Sequence, residues 1–94
     1  MPEVYESYKN QLFNALKDKV KGYVLISINE DTDSLYVCIS RGAHKFEYGV
    51  FELQNRMLFG TWDAEEIAKG ILISYKRDIL KHYLKTDHEN DQKK

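Results

Sequence analysis

The chain reads as an α+β domain of two layers, a three-stranded antiparallel meander with two helices on one face, in the order α-β-β-β-α. Three observations predict this. Apolar side chains recur at helical spacing over residues 3–21 and again from residue 63 onward. Between those stretches the spacing drops to two in three consecutive runs. Short turn-forming segments join the runs, which is all that antiparallel neighbours need.

The first helix is predicted over 3–21. Val4, Tyr5, Tyr8, Leu12, Phe13, Leu16 and Val20 gather on one side of its wheel. Glu3 and Glu6 in the first turn and Lys17, Lys19 and Lys21 in the last complement the helix dipole. Gly22 follows as a stop, because glycine tolerates the left-handed conformation.

The first strand, 23–30, sends Val24, Ile26 and Ile28 one way and Tyr23, Leu25 and Ser27 the other. Asn29, Glu30, Asp31, Thr32, Asp33 and Ser34 form a turn, since their side chains compete for backbone hydrogen bonds. The second strand, 35–40, alternates Leu35, Val37 and Ile39 with Tyr36 and Cys38. A tight turn at 41–43 leads to a third strand over 44–53. Phe46, Tyr48 and Val50 share one side of that strand, and Glu47, Phe51 and Leu53 the other. Gly49 in its middle reads as a bulge.

Residues 54–61 carry Met57, Leu58 and Phe59, so they should pack as an extra strand or a covering turn. The second helix start is well marked. Asp63 can cap it, Glu66 completes a capping box, and Trp62 and Ile67 stand at the positions of a hydrophobic staple. Ile67, Ala68, Ile71, Leu72, Tyr75, Ile79 and Tyr83 form its main apolar face, and the helix should end near Leu84 or Lys85. Residues 1–85 would then be one domain, with a disordered polar tail over 86–94.

Composition narrows the function classes. A chain of 94 residues fits one domain, and at that size folding buries roughly 60–65% of the unfolded surface. The formal net charge of −1 lacks the basic excess of a dedicated nucleic-acid binder, although a local patch is compatible with it. One cysteine, Cys38, permits neither an internal disulfide nor a cysteine zinc cage. The first residues lack the basic and apolar regions of a signal peptide, and no apolar run approaches membrane-spanning length. A cytoplasmic protein without membrane contact is the economical expectation.

No catalytic or cofactor motif stands out, and no cofactor or metal is expected. Asn29, Asp31 and Asp33 alternate as in a calcium loop, but Ser34 replaces its glycine and Ser40 its closing glutamate. His44, His82 and His88 are not spaced as a ligand cluster, and His82 reads as a surface pair with Asp78. Cys38 in a strand reads as a packed or interface side chain.

The element order resembles the double-stranded-RNA-binding domain. That resemblance implies RNA contacts on the first helix, the first hairpin loop and the start of the second helix. Here the loop carries Glu30, Asp31 and Asp33, and the helix opens with Asp63, Glu65 and Glu66, all of which would repel phosphate. The layout and the Lys/Ile/Tyr/Asn-rich composition also look like small uncharacterised α-β-β-β-α proteins of low-GC Gram-positive bacteria and their phages. That resemblance implies an accessory or interaction role.

The second sheet face carries the functional expectation. Tyr23, Leu25, Tyr36, Cys38, Phe51 and Leu53 make it apolar where a solvated face would be polar. Unless 54–61 folds back across it, it should be an interaction surface for a second copy or another protein. A stripe of Ile73, Leu80 and Leu84 on the outside of the second helix is the other candidate. The competing expectation is single-stranded nucleic acid, stacked on Tyr23, Tyr36 and Phe51 with Lys45 and Arg41 nearby for phosphates.

Overall fold

The computed structural model describes the backbone of residues 2–92 and the side chains of residues 4–84. Helix α1 (Pro2–Leu16) precedes strands β1 (Tyr23–Asn29), β2 (Ser34–Arg41) and β3 (His44–Val50). A short helix α2 (Leu53–Leu58) and a long helix α3 (Ala64–Gln92) follow. The sheet order is β1-β2-β3, antiparallel throughout. This is the predicted α-β-β-β-α arrangement, with α2 added.

Register sorts the strands into two faces. Three apolar rows line the helix side: Val24, Ile39 and Phe46; Ile26, Val37 and Tyr48; Ile28, Leu35 and Val50. α1 brings Tyr5, Leu12, Ala15 and Leu16 onto these rows, and α3 brings Ala68, Ile71 and Tyr75. Leu12, Leu16, Leu35 and Ile39 are fully buried. Each contributes roughly 1.5–3 kcal/mol by leaving water.

Several boundaries differ from those expected. α1 stops at Leu16, so Lys17, Lys19 and Lys21 fall beyond it and do not serve its dipole. The chain must reverse here to lay β1 beneath α1. It does so with a tightened turn, in which the Lys19 amide donates to the Leu16 carbonyl (2.9 Å) and Val20 packs against the core. β3 ends at Val50, three residues short of the predicted end. Gly49 is not a bulge, because it pairs with Tyr36 in unbroken register. α3 continues to Gln92, past the end expected near Leu84. The backbone of the expected disordered tail is thus helical as far as Gln92, while the side chains from residue 85 on and residues 93–94 lie outside the described residues.

The start of α3 follows its sequence signals. Asp63 Oδ1 accepts from the amides of Glu65 (3.1 Å) and Glu66 (3.3 Å). Trp62 stacks on Tyr8 at 4.1 Å and donates to Gln11 Oε1 at 2.9 Å, tying the start of α3 to α1.

One turn residue joins three elements. Asp33, at φ 51°, is left-handed. Its Oδ1 accepts from the Tyr5 hydroxyl of α1 at 2.8 Å. Its two carboxylate oxygens accept from the Gln54 amide at 3.2 and 3.0 Å, and its carbonyl accepts from the Leu53 amide at 3.2 Å. Asp33 thereby caps α2 from outside, since Glu52 at the cap position makes no side-chain cap bond.

Asp33→Ala should therefore lower stability by about 2 kcal/mol, because hydrogen bonds to a charged acceptor contribute roughly 1.5–3 kcal/mol and this site is partly wet. Asp33→Asn, which keeps an acceptor and tolerates the left-handed backbone, should lose about half as much or less. Urea unfolding measures both. An unchanged midpoint for Asp33→Ala would show that the knot contributes nothing.

Candidate interaction surface

The far side of the sheet carries three rows: Tyr23, Ser40 and Lys45; Leu25, Cys38 and Glu47; Ser27, Tyr36 and Gly49. Tyr23 is 82% exposed and Leu25 69%. Tyr36 and Cys38 are half-buried within the same surface, with Cys38 Sγ 4.0 Å from Ser40 Oγ. These four side chains share a face, as the alternation predicted.

Phe51 joins them by a different route. Beyond Val50 the chain leaves the strand, and the Phe51 ring folds back over Gly49 to meet Tyr36 edge-on, with centroids 5.9 Å apart at 85°. A Cβ at position 49 would lie 2.5 Å from Phe51 Cζ, so the missing side chain is what admits the ring. Phe51 remains half exposed.

Leu53 is the correction. It does not belong to this face; it is 1% exposed and sits in the core. The cause is Glu52, left-handed at φ 57°. Residues i and i+2 share a face only in extended backbone, and Glu52 reverses the chain between Phe51 and Leu53. Phe51 turns onto the sheet and Leu53 turns inward.

Residues 54–61 do not seal the face. α2 is pinned beside the β1–β2 turn and the start of α1, where the Gln54 side chain donates to the Tyr5 hydroxyl at 3.2 Å. Tyr23 lies at the other end of β1. Leu58 and Phe59, at the end of α2, are themselves exposed. Nothing in the alternation of the sequence pointed to these two as a further patch. The outer stripe of α3 is exposed too, at Ile73, Leu80 and Leu84.

The three rings considered for base stacking share this face, with the row of Leu25 and Cys38 between Tyr23 and Tyr36. Tyr36 and Phe51 contact each other, and only Tyr23 and Lys45 share a row. Arg41 lies toward the helices, its guanidinium 5.4 Å from the centre of the Tyr83 ring.

Two of the histidines are closer than their spacing along the chain predicts. His44 at the β2–β3 turn and His82 on α3 meet, with Nε2 atoms 3.0 Å apart. Asp78 accepts from the Tyr48 hydroxyl at 2.8 Å. No pattern along the sequence signals these cross-element contacts. His88 lies outside the described side chains. Among the described residues, no group of three or more His, Cys, Asp or Glu converges on a common point. No helix among them is long and apolar enough to cross a membrane.

No family model matches the chain, and no curated protein or solved structure matches it either. Its own geometry carries the functional argument.

Burial, reinforced by the Asp78 carboxylate, pushes the Tyr48 phenol well above its ordinary value. A raised folded pKa favours the protonated form, so this stabilisation is complete below the ordinary phenol pKa of about 10 and is lost as pH rises beyond it. Stability from urea midpoints should fall as pH rises above about 10, and fall less steeply in Tyr48→Phe. An identical slope in that variant would remove Tyr48 as a source of the alkaline loss.

Proposed function

We propose that this chain is a small self-association module that pairs with a second copy through the open sheet face. The observation that supports this most is the exposure of Tyr23, Leu25 and Phe51 on a face that no other element covers among the described residues. Burial of such side chains against a partner is favourable at roughly 25 cal/mol per Å² of apolar surface.

The polar groups on that face favour a copy of the same chain. Lys45 and Glu47 stand one row apart on β3. A two-fold axis between two stacked faces, crossing the strands between those rows, lays each β3 antiparallel over its mate. Lys45 then meets Glu47, and Tyr23 meets Leu25. Such an isologous contact is self-complementary in both charge and apolar surface.

The face is small. Strands of this length, spaced about 4.8 Å apart, cover only a few hundred Å², well under the roughly 800 Å² per partner of a standard interface. The dimer is therefore weak and concentration-dependent, with dissociation in the range of tens to hundreds of micromolar expected on the affinity scale.

Sedimentation equilibrium between about 10 µM and 1 mM, a range bracketing that affinity, should show the mass rising toward that of two chains. Leu25→Asp should stay monomeric with unchanged helix content, because Leu25 is not needed in the core. A wild-type chain that remains monomeric at the highest concentration rejects the proposal. So does equal association by Leu25→Asp.

A further inference from the structure

β3 is an edge strand, because its only neighbour in the sheet is β2. Alternate residues of an antiparallel edge direct their main-chain N–H and C=O groups away from the sheet. The β3 edge borders a groove of about 500 Å³ between the strand and α3. We propose that this groove binds an extended basic peptide, which adds to β3 as a fourth strand.

The strand side of the groove runs along Tyr48, Gly49 and Val50. The opposite wall is a helical stripe of α3 formed by Ile67, Gly70, Ile71 and Ser74, at the i, i+3, i+4 and i+7 spacing of one face. A free strand edge beside a helix that supplies pockets for alternate side chains is the geometry of peptide recognition by strand addition. The edge supplies affinity through main-chain bonds, and the helix wall supplies selectivity.

Gly70 is informative. A glycine inside a helix is costly relative to alanine, and a Cβ at this position would meet nothing within 4 Å. Packing in the folded chain therefore gives no reason for glycine here. Its effect is to keep the groove open, so that a peptide backbone can approach the helix.

Charge selects the partner. Glu47, Glu52 and Glu66 line the groove against a single cation, Arg56. The Arg56 Nε already donates to the Phe51 carbonyl at 2.9 Å. The excess of carboxylates favours lysine or arginine on the incoming strand and disfavours acidic peptides. This site adjoins the pairing face and shares Glu47, Gly49 and Phe51 with it, but the central side chains of that face, Tyr23 and Leu25, do not line the groove. The inference does not depend on dimer formation.

The test uses a fluorescein-labelled nine-residue peptide alternating lysine and valine, a glutamate–valine counterpart, and the full chain carrying Leu25→Asp to suppress self-association. Fluorescence anisotropy should show saturable binding of the lysine peptide that weakens at least ten-fold with Gly70→Leu, and similarly with Glu66→Lys, about the loss of one good contact. Thermal melting of both variants should remain cooperative, since each position faces open space or solvent. Amide shifts on labelled protein should concentrate on 47–52 and 66–74. The proposal is overturned by equal binding of the glutamate peptide, by unaltered binding to Gly70→Leu, by shifts centred on Tyr23, or by no binding at about 1 mM, the weak end of the affinity scale.

Discussion

The carboxylate of Asp33 is the constraint on which the rest of the arrangement depends. It stands in a left-handed turn between β1 and β2, and it holds α1 through Tyr5 and α2 through the Gln54 amide. Removing it would leave a phenol and a helix-start amide without their acceptor, which costs more than the bonds themselves contribute. The Tyr5 phenol registers this setting. The Gln54 hydrogen bond lowers its pKa, but the bond to Asp33 and burial outweigh that and leave it raised.

From this knot follows the openness of the far sheet face. α2 is the only element after β3 that could have crossed behind the sheet, and its first turn is tied to the β1–β2 end. The left-handed Glu52 completes the diversion by sending Leu53 into the core and Phe51 back over Gly49. Meanwhile α1 and α3 are both committed to the opposite face, where Tyr8 and Trp62 clasp them together. Two helices and one sheet make one sealed interface, and the sheet has a second side that the clasp cannot reach.

The sequence carried the fold wherever backbone periodicity was regular. The three helix-facing rows follow from alternation alone, and Asp63 behaves as the cap its position implied. Legibility failed where a left-handed residue reset the parity, as at Glu52. Single-sequence patterns do not report a left-handed glutamate, because a non-glycine residue of that kind rarely adopts this backbone. It failed again where side chains of different elements meet. The approach of His44 to His82, and of Tyr48 to Asp78, depends on how α3 crosses β3. Tyr23, Leu25, Tyr36, Cys38 and the α3 stripe needed only strand or helix parity to be placed, whereas Phe51 and Leu53 needed the turn geometry as well.

The exposed side chains are more than a by-product of small size. A sheet face turned to water can be built from threonine, serine and lysine with no loss to the core, and Ser27, Ser40 and Lys45 on this same face are of that kind. Tyr23 and Leu25 are not required by any contact that holds the described fold together, since both stand mostly in solvent. The charges are distributed in the opposite sense. Lys45 and Glu47 sit on the edge strand, where charged side chains discourage indiscriminate pairing with other strands. Apolar groups thus occupy the face, where a partner of matching shape can be selected, and charge guards the edge, where main-chain hydrogen bonding alone would accept almost any chain. In the proposed dimer that division confines association to partners that satisfy both the face and its flanking charges, which is what separates a recognition surface from an aggregation-prone one.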